Sequence, residues 1–105
     1  MLRIISIILC LFFASEVVAG GNKPVSTSLM LAIIECESGF RHDAVGDDGV
    51  SRGIAQFREE TFYEFATIAV KQKRWNFKKL GKPEWLNPIQ QVYLLEWGIR
   101  NGYGR

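Results

Sequence analysis

The sequence SLMLAIIECESGF, residues 28–40, is the stretch that most strongly determines the fold. Its apolar residues form an almost continuous run that ends at two glutamates. The hydroxyl group of Thr27 or Ser28 can cap the start of a helix. Ser38-Gly39 can end it, since glycine readily takes the left-handed conformation that follows many helices. The stretch therefore predicts a helix through Leu29–Glu37.

The two glutamates of this helix are predicted to lie on different faces. Residues of an α-helix are about 100° apart around its axis, and this spacing places four side chains on one apolar side: Leu29, Ile33, Cys36 and Phe40. Glu37 flanks that side, whereas Glu35 lies about 200° away from Glu37 on the opposite face. We therefore expect Glu35 to be a solvated charge and Glu37 to lie against the apolar stripe.

Composition limits the chain to one small domain. It has 105 residues, 48% of them hydrophobic and 23% charged, which excludes a multi-domain protein and argues against a fully disordered chain. The 13 lysines and arginines exceed the 11 acidic residues by only two. So small an excess gives no reason to expect nucleic-acid binding.

The N-terminal segment is typical of a secretory signal. Arg3 supplies one positive charge, Ile4–Ala14 is an apolar run, and Val17–Ala19 ends in a small residue. We expect a signal peptide over residues 1–19, cut after Ala19, and a flexible segment over residues 20–26. The apolar run is too short to cross a membrane comfortably. The prediction is therefore an exported protein with no stable membrane insertion, and an uncleaved anchor is the alternative.

The rest of the chain predicts a mostly α-helical fold. Thr61-Phe62-Tyr63-Glu64 matches a capping box, so a second helix is expected over about Thr61–Lys73. A third helix is expected over Pro88–Arg100, in the middle of the domain, because it has apolar residues on several sides. Gly53–Phe57 predicts a short helical turn, and Arg74–Leu86 a loop. Arg41–Arg52 is polar and glycine-containing, which allows at most a small β-hairpin.

Glu37 is the strongest candidate for chemistry. Partial burial raises the pKa of a carboxyl group, so a carboxyl in this position can donate a proton to a leaving oxygen, the general-acid role in glycoside cleavage. A glutamate at a helix end is also common as a surface residue or salt-bridge partner. Cleavage of the signal would leave Cys36 as the single cysteine, and His42 is the only histidine. We therefore expect no metal site.

Two further groups of charged residues have alternative interpretations. Asp43, Asp47 and Asp48 could activate a water on the far face of a sugar, or they could be turn residues beside glycines. The segment of residues 71–83 contains six cations and no acid, with aromatic residues interleaved. It could attract an anionic polymer or stack on sugars. It could equally be a solvated cap whose aromatic side chains close the core.

Several short motifs, taken in order, resemble a known family. They are Glu37-Ser38-Gly39-Phe40, Gly53-Ile54-Ala55-Gln56-Phe57 with Thr61, Asn87-Pro88, and Asn101-Gly102-Tyr103-Gly104-Arg105. Together they resemble the soluble lytic transglycosylase domain of the lysozyme-like superfamily. Cys36-Glu37-Ser38-Gly39 is also similar to resuscitation-promoting factors. The resemblance implies a lysozyme-like domain over residues 27–105. Members of the family commonly continue beyond the position of Arg105, so we expect either a truncated or a minimal domain.

The resemblance implies a site and a reaction. Glu37 matches the family's catalytic acid/base, and four residues match or adjoin its substrate-binding positions: Ser38, Gln56, Asn101 and Tyr103. The family cleaves the β-1,4 bond between N-acetylmuramic acid and N-acetylglucosamine in peptidoglycan. It needs no cofactor, because the 6-hydroxyl group of the muramic acid attacks its own C1 and forms a 1,6-anhydro ring.

The sequence therefore predicts a secreted, periplasmic or wall-associated monomer that cleaves peptidoglycan strands as a lytic transglycosylase. A lysozyme-type muramidase that hydrolyses the same bond is one alternative, and a non-catalytic wall-binding module is another. A third is a small exported interaction protein in which the motif match is chance.

Overall fold

The computed structural model describes residues 25–102 as a mostly helical domain. Residues 25–102 contain four helices: α1 Thr27–Ser38, α2 Glu59–Lys71, α3 Phe77–Leu80 and α4 Pro88–Arg100. Within the described residues, β-pairing outside helices is limited to isolated antiparallel bridges, Val45 with Arg52 and Arg52 with Phe57. The prediction of a mostly α fold with at most a small hairpin is confirmed.

Helix α1 has well-formed caps at both ends. The Ser26 hydroxyl oxygen accepts a hydrogen bond from the backbone N–H of Leu29 at 3.2 Å, so the cap lies one residue before the expected position. Gly39 ends the helix in the left-handed conformation, φ 62°, and its N–H donates to the Glu35 carbonyl. The helix therefore ends directly after Glu37-Ser38, as the sequence predicted.

Helix α2 begins two residues earlier than predicted. Its N-cap is Arg58, which makes no side-chain capping bond, and Thr61 lies inside the helix. The capping-box prediction at Thr61 is therefore wrong. Glu59 and Glu60 occupy the first turn instead, where negative charge is favourable beside the positive end of the helix dipole. The helix also ends at Lys71 rather than Lys73.

The remaining elements agree with the sequence in part. Asn87 caps α4 by accepting from the N–H of Gln90 at 3.1 Å, and Pro88 is the first residue of that helix. The predicted loop after α2 contains the short helix α3. Residues 53–57 form a turn rather than a helical turn, closed by a bond of 3.0 Å from the Arg52 N–H to the Phe57 carbonyl.

Two apolar clusters meet at α4. The larger packs α2 and the loop aromatics against α4 and contains eight buried residues: Ala55, Phe57, Phe62, Ala66, Ala69, Trp75, Leu94 and Trp97. The smaller packs α1 against Ile99. At Gly98 the helices approach closely, since a Cβ atom there would lie 2.8 Å from the Phe65 ring. Helix α4 is therefore the central helix, as its apolar pattern predicted.

Trp75 of the basic segment and Trp85, two residues after it, belong to the core side of the fold. Trp75 is buried and its indole N–H donates to the Gly81 carbonyl at 2.9 Å. Trp85 is half-buried and donates to the Phe57 carbonyl at 2.9 Å. The interpretation as core-closing side chains is confirmed for Trp75 and Trp85, whereas Phe77 and the neighbouring cations are exposed.

A buried glutamine connects α4 to the turn at residues 53–56. The Gln91 side chain is fully buried, and its amide oxygen accepts from the Ala55 N–H at 2.9 Å. Its amide nitrogen donates to the carbonyls of Arg52 at 3.0 Å and Trp85 at 2.7 Å. Gly53, at φ 90°, makes this approach possible, because a Cβ atom there would lie 2.4 Å from the Gln91 amide nitrogen.

We predict that Gln91→Leu strongly destabilises the protein. Leucine leaves one buried and two partly buried backbone groups without their partner, and a buried group left so costs about 1–3 kcal/mol. We expect the free energy of unfolding to fall by about 3 kcal/mol in chemical denaturation. The control is Gln72→Leu, an exposed glutamine that accepts one bond from Trp97, with an expected loss below about 1 kcal/mol. Equal losses in the two variants would contradict the anchoring role of Gln91.

Candidate functional site

A cavity of about 360 Å³ lies between the end of α1, the segment of residues 51–58, α2 and α4. Glu37, half-buried at the end of α1, lies in its wall. Among the described lining residues Glu37 is the only acid. The other polar lining residues are Ser51, Gln56, Arg58 and Thr61, and apolar side chains including Phe65 and Leu95 complete the wall. The cavity therefore sets one carboxyl group among hydrogen-bonding and apolar surfaces.

The position of Glu37 follows from the periodicity of α1. Glu35 is exposed and Glu37 is half-buried, so the predicted separation of the two glutamates onto different faces is confirmed. Ile33 and Ile34 are buried beneath this end of the helix and hold it against the core. Phe40, expected on the apolar side, is instead 50% exposed, because the chain leaves the helix at Gly39.

Gln56 contributes to the same cavity from the turn after residue 53. Its backbone is in the left-handed region, φ 56°, unusual for a residue other than glycine. The side-chain amide nitrogen donates to the carbonyls of Ala44 at 3.1 Å and Gly53 at 2.9 Å. Both amide hydrogens thus stabilise the loop, and the amide oxygen is the group suited to accept from a ligand hydroxyl.

Arg58 reaches the cavity from the start of α2 and is held by Asp48. The Asp48 carboxylate accepts from the N–H groups of Val50 and Ser51, at 2.9 and 2.8 Å, and from the Ser51 hydroxyl at 2.8 Å. The guanidinium group of Arg58 lies 3.4 Å away. The Ser51 and Val50 hydrogen bonds are the main reason that the pKa of Asp48 lies well below its ordinary value.

These contacts favour the interpretation of the loop acids as turn residues. Asp48 organises residues 48–51 through bonds to their own backbone. Asp43 pairs with Arg41 at 3.5 Å, with both side chains mostly exposed, and Asp47 is exposed. None of the three is among the described residues that line the cavity.

The predicted site residues do not all come together. Glu37 and Gln56 line one cavity. Ser38 is buried and its hydroxyl donates to the Ile34 carbonyl within α1 at 3.1 Å. Asn101 lines a different cavity, and its amide donates to the Trp97 carbonyl at 2.7 Å. Tyr103 lies outside the described residues.

Two lining residues, Ser51 and Arg58, were missed as site residues from the sequence. Arg58 directly follows the Gly53–Phe57 motif, and this position next to a candidate site residue could have identified it. Ser51 lies in a polar glycine-containing stretch in which nothing distinguishes it from its neighbours. Its place in the wall results from the Asp48 turn, which is a feature of three-dimensional structure.

Other residues with reactive side chains lie away from this arrangement. Cys36 is half-buried and disulfide-bonded. His42 is exposed. In the described part of the chain, no group of three or more histidine, cysteine or acidic residues is placed to hold a metal ion. No helix there has the length and apolar character needed to cross a bilayer.

Comparison with known proteins gives no significant match to any protein-family model, curated protein or solved structure.

We predict that Asp48→Asn lowers the melting temperature in a pH-dependent way. The native-state pKa of Asp48 lies below its ordinary value of 3.8, so its charged form is favoured by folding. That stabilisation is complete above about pH 4 and is lost as the pH falls through the native-state pKa. The difference in melting temperature between wild type and variant should therefore be full at neutral pH and narrow below about pH 4.

The matched control for this prediction is Asp47→Asn, which removes a neighbouring exposed charge. It should change the melting temperature little at any pH. If the wild type and Asp48→Asn melted at the same temperature at neutral pH, the hydrogen bonds of Asp48 would not stabilise the fold.

Proposed function

We propose that the protein is a secreted lytic transglycosylase that cleaves the β-1,4 bond between N-acetylmuramic acid and N-acetylglucosamine in peptidoglycan. The observation that carries this proposal is the position of Glu37, half-buried in the wall of a cavity that it shares with Gln56. These two residues match the acid/base and a glycan-groove residue of the family that the sequence resembles.

In the proposed reaction Glu37 acts twice. Its carboxyl group donates a proton to the glycosidic oxygen, and the bond between that oxygen and C1 of the muramic acid breaks. The N-acetyl group of the same sugar stabilises the positive charge that develops at C1. The Glu37 carboxylate then accepts the proton of the sugar's 6-hydroxyl group, whose oxygen bonds to C1 and closes the 1,6-anhydro ring. The attack is intramolecular, so proximity replaces an activated water.

The surroundings of Glu37 favour this route over hydrolysis. Most glycoside hydrolases use two carboxyl groups, about 5–9.5 Å apart, on either side of the bond. Glu37 is the only acid among the described lining residues, and Asp48 is engaged by its own turn and by Arg58. A mechanism with one carboxyl group fits this arrangement better than one with two.

The cavity wall offers the contacts that a sugar needs. Its volume of about 360 Å³ lies within the range of ligand sites in proteins. The Gln56 amide oxygen and the Thr61 hydroxyl can bind sugar hydroxyl groups, while Phe65 and Leu95 can pack against the apolar face of a ring. Arg58 can pair with a carboxylate of the muramic acid or of its peptide.

We predict that Glu37→Gln reduces peptidoglycan cleavage by at least about 100-fold, because the amide cannot donate or accept the proton. Purified protein would be incubated with peptidoglycan and the soluble products analysed by mass spectrometry. The wild type should release 1,6-anhydromuramic products. Glu35→Gln, the same substitution on the exposed face of α1, should retain near-normal activity.

The alternatives give different outcomes in this experiment. If the wild type released products with reducing ends and Glu37→Gln did not, the protein would be a lysozyme-type muramidase. Binding to peptidoglycan without cleavage, equal in both variants, would assign a wall-binding module. Substantial cleavage by Glu37→Gln would reject Glu37 as the catalytic residue.

A further inference from the structure

A second cavity, of about 720 Å³, lies where the C-terminal ends of α2 and α4 meet. Residues 72–74 line it on one side and Tyr93, Glu96, Arg100 and Asn101 on the other. Neither Glu37 nor any other residue that lines the first cavity contributes to it. It is thus a separate site, and the proposed reaction makes no use of it.

Helix α4 separates the two cavities. Leu95, Gly98 and Ile99 line the first cavity, whereas Tyr93, Glu96 and Arg100 belong to the second. At about 100° per residue these two sets point to opposite sides of the helix axis. A ligand in the second cavity would therefore not compete with a ligand beside Glu37.

The second cavity carries an excess of positive charge. Lys73, Arg74 and Arg100 line it, against one acid, Glu96. Glu96 lies 3.7 Å from Arg100 in an i,i+4 pair, which partly neutralises both. The exposed cations of the adjoining segment extend the positive surface away from the cavity: Lys71, Lys78, Lys79 and Lys82. An anionic ligand is therefore attracted to this face.

Internal hydrogen bonds shape the wall of this cavity. The Trp97 indole N–H donates to the Gln72 amide oxygen at 3.3 Å, and the Tyr93 hydroxyl donates to the Arg74 carbonyl. The Tyr93 ring also packs edge-on against Trp75, with ring centres 5.8 Å apart. Burial raises the pKa of the Tyr93 phenol.

The polar groups of the wall distinguish between anionic ligands. Gln72 and Asn101 supply amides, which bind sugar hydroxyl groups, and the Glu96 carboxylate can accept from hydroxyls. Single-stranded nucleic acids also rely on aromatic faces for stacking. Trp97 is buried and Tyr93 half-buried in this wall, which offers little such surface. The amides and the small aromatic surface therefore favour a saccharide with carboxylate groups.

We propose that the second cavity is an accessory binding site for an acidic oligosaccharide, held by Lys73 and Arg74 through its carboxylates and by the neighbouring amides through its hydroxyls. The site binds its ligand independently of Glu37. It gives the protein a means of attachment to a carboxylate-bearing polysaccharide while the first cavity remains accessible.

The test is a calorimetric titration with a hexamer of galacturonic acid, which carries one carboxylate on each ring. The double variant Lys73→Gln/Arg74→Gln should weaken binding by about tenfold or more, because two charge-assisted contacts are lost. The matched control Lys78→Gln/Lys79→Gln removes the same charge from the same segment outside the cavity. We expect less than about a threefold change in the control.

Several outcomes would overturn this inference. These are no binding of the acidic hexamer by the wild type, an equal loss in the two double variants, or a loss of neutral N-acetylglucosamine hexamer binding in Lys73→Gln/Arg74→Gln as large as the loss of acidic hexamer binding. Tighter binding of a single-stranded oligonucleotide of the same charge would assign the surface to nucleic acid instead. Glu37→Gln should bind the acidic hexamer like the wild type, so failure of the proposed catalytic function would leave this result unaffected.

Discussion

The buried amide of Gln91 is the interaction on which the site depends. It holds the N–H of Ala55 and the carbonyls of Arg52 and Trp85 against the central helix. An isolated turn of this kind would be marginal in water, because its backbone groups would exchange with solvent. Burial makes the three bonds strong and their loss costly. This contact is possible because Gly53 has no Cβ atom, which would collide with the Gln91 amide.

The first cavity is a consequence of that anchor. Once the turn is held on α4, Gln56 lies opposite the end of α1, and Glu37 lies in the same wall. Asp48 bonds to the backbone of Val50 and Ser51, just before the turn, and holds Arg58 at the start of α2. Gln56, Ser51 and Arg58 are therefore positioned by bonds that do not involve a ligand. Such prior organisation is what proton transfer to a leaving group requires.

The central helix gives the two cavities different chemical character. On one side, small and apolar residues such as Gly98 allow close packing and form the apolar part of a cavity wall with one acid among its described residues. On the other, Arg100 and the cations after α2 create a positive surface with amide groups. One helix thus separates a candidate reaction site from a candidate attachment site, and substitutions on one side need not disturb the other.

Local sequence determined the elements whose signals lie within one or two turns: the Asn87-Pro88 start of α4, the end of α1 at Gly39, and the opposite faces of Glu35 and Glu37. It was wrong about the start of α2. The capping-box pattern predicted a start at Thr61, but the helix begins at Glu59, and two glutamates occupy its first turn. Only the tertiary structure decided which residues share a cavity, since that depends on contacts between segments far apart in sequence. The tertiary structure places Gln56 in the same cavity as Glu37. The Ser38 hydroxyl instead bonds within α1, and Asn101 lies on the other side of α4.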